Sequence, residues 1–287
     1  MQKAIISINV NTGVYKNFVS QLVDMTDKPS SYICIANVHM LVKASREPSF
    51  AKIINDADLI TPDGMPLTWA LKLLYGIDQD RVAGMDLLPD LLTKAEQELI
   101  PVYFYGGTEK MHAKIQETIP NKYPLLNIAG MYSPPFREIT DEEAQCTATS
   151  INNSGAKIVF VILGCPKQEI WMAKMKGKIN AAMLGVGGAL PVLLGIQKRA
   201  PLWMQKAGLE WFYRLIKEPK RLFKRYFITN SMFIFLLTRE FIRIKILNKN
   251  TKYPIGFIEK LTNTEKKHSA EKELSKFKNS GNPDYWN

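Results

Sequence analysis

Cysteine and histidine are scarce in this chain, which limits the kinds of site that it can form. The sequence contains 3 cysteines and 3 histidines in 287 residues. Cys34, Cys146 and Cys165 are too few and too far apart for a disulfide framework or a thiolate metal site. The histidines form no H-x-x-x-H pair. We therefore expect a reduced, cytosolic protein that has no metal site and needs no cofactor.

Long apolar runs are missing as well. The uncharged run at residues 226–238, within the basic C-terminal segment, is shorter than the roughly 20 apolar residues that cross a bilayer. The apolar run at the N-terminus is too short for the core of a signal peptide, and no small-residue cleavage site follows it. The sequence therefore indicates neither a membrane span nor export.

A complete dinucleotide fingerprint is also missing. Residues 185–188 read Gly-Val-Gly-Gly, but Leu190 stands where the last glycine of the fingerprint belongs. Residues 9–13, which follow the first apolar run, do not supply the motif either. This absence argues against a nucleotide-dependent oxidoreductase.

Positive charge is present in excess and is concentrated in one segment. The formal net charge is +11, and residues 198–250 hold 13 Lys and Arg against 3 Asp and Glu. Aromatic residues are interleaved with these cations. Such a segment is typical of proteins that bind anionic lipid or nucleic acid. We favour an anionic membrane surface over nucleic acid, and retention on anionic liposomes but not on duplex nucleic acid would separate the two.

Short apolar runs alternate with helix-length segments along the first 190 residues. The predicted strands are Ala4–Ile8, Tyr32–Ala36, Leu59–Thr61, Val102–Tyr105, Leu126–Ala129, Ile158–Leu163 and Ala181–Val186. Many of these runs are continuously apolar, as expected for strands that are covered on both faces. The pattern predicts an α/β fold with a doubly wound and mostly parallel sheet.

The composition divides the chain into three parts. Residues 1–197 are expected to form the catalytic α/β domain, and residues 198–250 a basic, aromatic and helical appendage. Residues 251–287 form a polar tail that is rich in Lys and Glu and is expected to be disordered. We assign no function to this tail.

Residues that follow the predicted strands are the first candidates for a site, because ligands bind beyond the carboxyl ends of parallel strands. Asp63, between Pro62 and Gly64, could accept a proton from an incoming hydroxyl, but Pro-Asp-Gly is also an ordinary turn. Asn37 and Gln168 could bind sugar hydroxyls or simply cap backbone groups. Arg81 could grip a phosphate or lie solvated at the surface.

Glycines mark several of the same strand ends. Gly106 and Gly107 precede Thr108, a plausible N-cap, and the amides of the following helix could meet a phosphate. A tight turn explains the glycine pair equally well. Two D-x-D tripeptides, at residues 56–58 and 78–80, match a cation-binding pattern but also read as solvated acids.

The basic segment has helical periodicity. Arg214, Lys217, Arg221, Lys224 and Arg225 recur at steps of three and four residues, which places them on one face of a helix. Pro219 either interrupts this helix or begins a second one. We expect the membrane contacts to be made by the cations and phenylalanines of this segment, namely Lys217, Phe223, Lys224, Arg225 and Phe227.

Taken together, the motifs resemble the WecG/TagA/CpsF glycosyltransferase family over about residues 1–226. The sequences that carry the resemblance, in chain order, are Ala-Asn-Val-His at 36–39, Pro-Asp-Gly at 62–64, Arg-Val-Ala-Gly-Met-Asp at 81–86, Leu-Gly-Cys-Pro-Lys-Gln-Glu at 163–169, Gly-Val-Gly-Gly at 185–188, Lys-Arg-Ala-Pro at 198–201, Gly-Leu-Glu-Trp-Phe-Tyr-Arg-Leu at 208–215 and Glu-Pro at 218–219.

The resemblance implies an inverting, metal-independent enzyme of bacterial envelope polysaccharide synthesis. It also implies a Rossmann-like α/β fold with a helical, membrane-docking appendage at the C-terminus. Such an enzyme moves a sugar from a UDP donor to a polyprenyl-diphosphate-linked sugar, and acts as a peripheral protein at the cytoplasmic face of the inner membrane. By motif position, Asp63 is similar to the family's catalytic base, Asn37 and Gln168 to its active-site amides, and Arg81 to its sugar-site arginine. Arg214 and Arg221 are similar to arginines that approach the donor diphosphate. Glycines expected at the UDP-sugar are Gly106, Gly107, Gly164, Gly187 and Gly188.

Three departures from the family pattern leave the donor sugar open. Leu190-Pro191 stands where an aromatic residue and an aspartate are common, residues 133–136 replace a His-Gly-Tyr-Phe run, and Ala36 replaces a threonine. N-acetylmannosamine is the leading candidate, beside glucose and a uronic acid. A non-catalytic membrane adaptor is the alternative of another class, and the acceptor sugar and the oligomeric state also stay open.

Overall fold

The protein is built on a parallel sheet with helices on both faces. The structure, a computed structural model, describes residues 1–247, with the exception of the side chain of Arg221. The strands are β1 (Gln2–Ile5), β2 (Ile8–Asn11), β3 (Ser31–Ala36), β4 (Leu59–Pro62), β5 (Val102–Gly106), β6 (Ile128–Tyr132), β7 (Ile158–Ile162) and β8 (Ala182–Gly185).

Twelve α-helices accompany these strands in the described part of the chain. They are α1 (Tyr15–Asp24), α2 (Val38–Arg46), α3 (Pro48–Asn55), α4 (Met65–Tyr75), α5 (Gly84–Gln97), α6 (Glu109–Lys122), α7 (Asp141–Asn153), α8 (Lys167–Met175), α9 (Ala189–Leu193), α10 (Leu202–Lys206), α11 (Glu210–Lys217) and α12 (Pro219–Phe241). A short 3-10 turn, Met25–Asp27, follows α1, and a π-helical turn, Ile242–Ile246, follows α12.

Six strands form the main sheet in the order β4-β3-β8-β7-β5-β6. All neighbouring pairs are parallel. Every residue of β3, β5 and β7 is buried, which explains their continuously apolar sequences. The predicted α/β class and parallel sheet are confirmed.

Helices cover both faces of this sheet, so it is doubly wound. On one face α5 packs against α1 and α9, and on the other α3 packs against α2 and α8. The connection after β5 leads outward to the edge strand β6, whereas the connection after β7 leads inward to β8. Connections that diverge in this way open a crevice at the carboxyl ends of the strands.

The first predicted strand is wrong. We expected Ala4–Ile8 to join the parallel sheet, but β1 and β2 form a separate antiparallel hairpin in which Ile5 pairs with Ile8. The chain turns at Ile6, whose φ of 59° lies in the left-handed region. A buried β-branched residue is rare in this conformation, so the residues around Ile6 contain no signal for a turn.

The position predicted for the edge strand is shifted. We expected Leu126–Ala129, whereas β6 covers Ile128–Tyr132. This strand is only partly buried, and its register against β5 shifts between Val102 and Tyr103. An edge strand with one partner needs no continuous apolar run, so its sequence marks its bounds poorly.

The C-terminal helices pack on the same body as the sheet. A stripe on α12 is buried, and α12 contacts α2 and α4. The residues of this stripe are Leu222, Thr229, Phe233, Leu236 and Glu240. Pro219 begins α12 and so ends the run of α11, the second of the two readings that the sequence allowed.

No helix in residues 1–247 combines the length and the apolar character needed to cross a membrane. The boundary between a catalytic part and an appendage at residue 197 stays a prediction. The last three residues predicted for the appendage, 248–250, and the predicted tail, 251–287, lie outside the described residues.

Candidate active site

The predicted site residues follow strands that are neighbours in the sheet. Asp63 follows β4, Asn37 follows β3, Gly187 and Gly188 follow β8, and Gly164 follows β7. These strands are consecutive in the sheet order. Their carboxyl ends therefore form one continuous rim.

Asp63 is held on this rim by its backbone. Its N–H donates to the carbonyl of Ala36 at 2.7 Å, which continues the pairing of β3 with β4 by one residue. Gly64 then adopts φ +88°, a conformation that glycine accepts readily, and α4 begins at the next residue. The Pro-Asp-Gly sequence thus makes the turn and also fixes the carboxylate.

Burial and charge together set the ionisation of this carboxylate. Burial raises the pKa of Asp63 from its ordinary value of 3.8 to about 7. The charges of Arg81 and Arg214 lower this pKa, and the charges of Glu210 and Asp86 raise it. A carboxylate with a pKa near neutral pH suits the role of a general base.

Asn37 begins the helix that follows β3. Its side-chain oxygen accepts a hydrogen bond from the N–H of Met40 at 3.1 Å, which caps α2. The capping reading is therefore correct for the oxygen of this amide. The bond does not involve the NH2 group, and the proposed contact of Asn37 with sugar stays a prediction.

Gln168 joins the ends of two neighbouring strands. Its Oε1 accepts a hydrogen bond from the N–H of Gly164 at 3.1 Å. A Cβ placed on Gly187 would lie 3.1 Å from the same oxygen, and a Cβ on Gly185 would lie 2.8 Å from Nε2. The glycines after β7 and β8 therefore leave room for this side chain, which is itself buried.

Glu169, which the sequence interpretation left without a role, holds the other end of this amide. Nε2 of Gln168 donates to Oε1 of Glu169 at 2.8 Å. Glu169 is fully buried, and burial raises its pKa to about 7. The Gln168 amide is thus fixed at both ends behind the rim.

Gly106 and Gly107 form a tight turn after β5. A Cβ on Gly106 would lie 2.6 Å from the carbonyl oxygen of Ile162, and the φ of Gly106 is +99°. The N–H of Gly107 donates to the same carbonyl at 3.0 Å. Thr108 caps α6 as predicted, with its hydroxyl accepting from the N–H of Met111. These glycines have a steric role, and their contact with phosphate stays a prediction.

Arg81 lies beside Asp63 in a network of charges. The N–H of Val82 donates to the carbonyl of Pro62 at 2.9 Å, which holds the Arg81 segment against the end of β4. The Arg81 guanidinium donates to Asp86 at 2.9 Å and to Glu210 at 3.0 Å. Arg81 is therefore an ordered cation, and the reading as a freely solvated arginine is wrong.

Arg214 reaches the same rim from α11. Its guanidinium lies so close to Gly188 that a Cβ there would be 3.0 Å from Nη2. Arg214 also lines a cavity of about 350 Å³ with three other cations, Lys198, Arg199 and Lys217. The acids of its lining are Glu210 and Glu218. The cavity is therefore lined by more cations than acids, and Arg214 connects it to Gly188 on the rim.

A second cavity, of about 370 Å³, lies on the other side of Arg199. Its charged lining consists of Arg81, Asp86, Asp90 and Arg199. Met85 and Arg199 line both cavities. The two spaces are thus neighbours that share a wall.

The residues predicted to contact a membrane are exposed. Phe223 and Phe227 are 63% and 68% exposed, and their rings stack with centroids 6.3 Å apart. Lys217, Lys224 and Arg225 are also exposed. The side chain of Arg221 lies outside the described residues, so its proposed approach to a diphosphate stays a prediction.

The acids of the two D-x-D tripeptides make other contacts. Asp56 pairs with Lys52, Asp58 with Lys176, and Asp78 with Lys72. Asp80 accepts a hydrogen bond from the N–H of Tyr15. Within residues 1–247, no three His, Cys, Asp or Glu side chains gather in a way that could hold a metal ion.

This combination of fold and site defines a class of protein. A doubly wound sheet with a partly buried carboxylate, amides and cations on its carboxyl rim is the arrangement of α/β enzymes that act on ligands in this crevice. The chain belongs to the glycosyl transferase WecG/TagA/CpsF family, whose model matches residues 3–246. The protein is therefore a glycosyltransferase.

A relative from Bacillus spizizenii (strain ATCC 23059 / NRRL B-14472 / W23) is 34% identical over 211 residues, which are 71% of this chain and 79% of the relative. It is described as an N-acetylglucosaminyldiphosphoundecaprenol N-acetyl-beta-D-mannosaminyltransferase. The resemblance inferred from the separate motifs is thus confirmed at the level of the family.

Some residues at the site received no role from the sequence. Asp86, Arg199 and Glu210 were read only as parts of motifs, yet the structure places them around Arg81. Each of these residues is a charged side chain within a motif that is otherwise apolar or typical of a turn. That contrast in the sequence could have marked them as candidates.

Proposed function

We propose that this glycosyltransferase moves a hexose-type sugar from a UDP donor to a polyprenyl-diphosphate-linked sugar, with inversion at the anomeric carbon. The observation that carries the proposal is Asp63, a partly buried rim carboxylate whose pKa is raised to about 7 beside Arg81 and Arg214. The described activity of the Bacillus relative supports a lipid-linked acceptor. N-acetylmannosamine is the leading donor sugar, before glucose and a uronic acid.

The proposed reaction is a single displacement. Asp63 takes the proton of the acceptor hydroxyl while the hydroxyl oxygen forms a bond to the anomeric carbon of the donor. The bond between that carbon and the phosphate oxygen breaks, and UDP leaves with the electron pair. One displacement on one face inverts the configuration.

Fixed cations are proposed to stabilise the leaving diphosphate. Lys198, Arg214 and Lys217 line the same cavity, and Arg214 extends to Gly188 at the rim. Preorganised positive charge at the place where negative charge develops lowers the barrier of such a step. We therefore propose that transfer does not need a divalent metal ion.

We also propose that the protein works at the cytoplasmic face of the bacterial inner membrane as a peripheral protein. Phe223, Phe227 and Ile234 lie on the exposed side of α12 at helical spacing, and each is more than 60% exposed. Exposed Lys217, Lys224 and Arg225 add positive charge nearby. Apolar and cationic side chains on one helix bind anionic bilayers without crossing them.

The reaction is tested by mass spectrometry of the lipid product. The full chain is incubated with a panel of UDP-sugars and a polyprenyl-diphosphate-linked N-acetylglucosamine, with and without EDTA. The expected result is a mass increase of one sugar unit that survives EDTA, and the donor that supports it identifies the sugar. Absence of product with every donor contradicts the proposal, and product that EDTA abolishes contradicts its metal-independent form.

The role of Asp63 is tested by the pH dependence of the same assay. The base must be ionised to accept a proton. Therefore kcat/KM is expected to rise with pH as Asp63 loses its proton, and to level off above about pH 7. A rate that is flat between pH 5 and 8 would contradict the assignment of Asp63 as the base.

A further inference from the structure

Four charged side chains beside the rim form a closed ring. Arg81 donates to Asp86 at 2.9 Å and to Glu210 at 3.0 Å. Arg199 donates to Asp86 at 2.6 Å and to Glu210 at 3.2 Å. Each arginine therefore bridges both acids, and each acid accepts from both arginines. We call this set the ion ring.

The ion ring joins parts of the chain that are distant in sequence. Arg81 lies in the connection after α4, Asp86 in the first turn of α5, Arg199 in the connection after α9, and Glu210 at the start of α11. The bond from Arg81 to Glu210 spans 129 residues. The ring thus ties α11 to the segment that follows β4 and carries Asp63.

The members of the ring are partly shielded from solvent. Their side chains are between 16% and 32% exposed. One terminal nitrogen of Arg199 is buried and has no hydrogen-bond partner among the described residues. In such surroundings the loss of one charge leaves its partners uncompensated, so the ring is expected to behave as a unit.

The geometry of the ring requires arginine and carboxylate. A guanidinium is planar and offers several N–H groups in fixed directions, so it can bridge two carboxylates at once. A lysine ammonium carries the same charge on a flexible chain but lacks this fork. Replacing Arg199 by lysine therefore keeps the net charge but disturbs the positions of the N–H donors that bridge Asp86 and Glu210.

Two cations of the proposed reaction depend on this ring. Arg81 is one of its members and adjoins the end of β4 through the bond from Val82 to Pro62. Arg214 lies one helical turn after Glu210 on α11, on the same side of the helix. The contact of Glu210 with Arg81 and Arg199 therefore fixes the turn from which Arg214 reaches Gly188.

We propose that Arg199 and Glu210 are positioning residues for sugar transfer, which hold Arg81 and Arg214 in place around Asp63. The inference rests on the proposed function and adds two residues to it. Neither residue needs to touch the reacting atoms. A purely structural ring would instead stabilise the fold without affecting the chemical step.

Two single variants and their combination test the proposal in the full chain. Glu210→Gln removes one negative charge from the ring. Arg199→Lys keeps the positive charge but removes the guanidinium that bridges two carboxylates. Glu117→Gln is the matched control, because Glu117 also pairs with a cation, Lys114, but at the surface of α6. The measurements are kcat and KM for donor and acceptor, the pH profile, UDP binding by calorimetry and thermal unfolding.

Glu210→Gln is expected to lower kcat by about 10- to 100-fold, since small displacements of positioned groups have effects of this size. Arg199→Lys is expected to lower kcat less, and the double variant no more than Glu210→Gln alone. Of the charges that face Asp63, Glu210 and Asp86 raise its pKa, and Arg81 and Arg214 lower it. Removing Glu210 is therefore expected to move the acidic limb of the pH profile to lower pH.

The outcomes separate this proposal from the proposed function. If the unaltered protein makes no product, the proposed function fails, and the positioning role that rests on it fails as well. If it is active but Glu210→Gln matches Glu117→Gln in kcat and in pH profile, the positioning role is wrong. A variant that loses kcat only in proportion to its unfolded fraction in the thermal measurement would show a structural ring and overturn the proposal as well.

Discussion

The main sheet and the C-terminal helices contribute to one site in different ways. All residues of β3, β5 and β7 are buried, whereas α11 buries none of its residues. The sheet presents Asp63 and the Gln168 amide from rigid strand ends. The helices bring Arg214 and an exposed aromatic surface. The difference teaches that the group proposed to transfer protons is fixed by the core, while the cations proposed to hold the diphosphate come from a weakly packed segment.

The first prediction tests the contribution of the sheet by removing the carboxylate of Asp63. Asp63→Asn is expected to lower kcat by about 10²- to 10⁴-fold, the usual contribution of a general base. Stability is not expected to fall. The folded pKa of about 7 lies above the ordinary 3.8, so ionisation of Asp63 opposes folding increasingly as the pH rises between these values.

The measurement is product formation together with thermal unfolding at pH 5 and pH 8. Relative to the unaltered protein, Asp63→Asn should gain more stability at pH 8 than at pH 5. Turnover equal to that of the unaltered protein would remove Asp63 from the mechanism.

A second change probes the core without touching a charged group. Gly106→Ala places a Cβ 2.6 Å from the carbonyl oxygen of Ile162 and strains a φ of +99°. Both effects act on rigid backbone, and we expect a loss of about 2 to 5 kcal/mol in the free energy of unfolding. Chemical denaturation measures it. Gly155→Ala is the control, because its φ of +74° is similarly strained but no atom lies within 4 Å of the added Cβ. An equal loss in both variants would contradict the steric argument.

A third change probes the helical side. The double variant Phe223→Ser, Phe227→Ser is expected to weaken binding to anionic vesicles by about 30-fold, since burial of each ring contributes about 1 kcal/mol or more. Sedimentation with vesicles measures the binding. Leu125→Ser combined with Phe136→Ser removes two similarly exposed apolar side chains elsewhere, at 72% and 65% exposure, and should have little effect. Equal losses in both double variants would argue against docking through α12.

The smallest expected effect lies at the junction of the two regions. Gly188 has an ordinary helical φ of −70°, so alanine fits its backbone. The added Cβ would lie 3.0 Å from the Arg214 guanidinium, which can move aside. Gly188→Ala is therefore expected to leave the unfolding temperature unchanged and to lower kcat by less than about 10-fold. Loss of stability without loss of activity would contradict the proposed role of this contact.

The sequence predicted the interior of the fold well. Continuously apolar runs predicted β3, β4, β5, β7 and β8, because burial on both faces leaves little freedom in composition. It failed where local sequence does not decide the outcome. The hairpin turn at Ile6 depends on tertiary packing that keeps a β-branched residue at positive φ, and the bounds of β6 depend on a register shift against β5.

The candidate site was predicted in part for a similar reason. The ends of buried strands can be located from the sequence. Asp63, Asn37 and Gln168 were therefore predicted as site residues from their positions after those strands. The partners of Arg81 could not, because Glu210 is 129 residues away and no local rule pairs them. The role of Glu169 was hidden as well, since a carboxylate on a helix usually reads as a solvated charge.

The N-terminal hairpin has a consequence for the solubility of the folded chain. β4 is the outer strand on one side of the main sheet, and such a strand offers unpaired N–H and C=O groups to other chains. β2 packs beside it, and the side-chain oxygen of Asn11 accepts the N–H of Ile60 at 2.9 Å. The hairpin therefore blocks strand addition at this edge, and it protects the protein against edge-to-edge aggregation there with only the ten residues from Gln2 to Asn11.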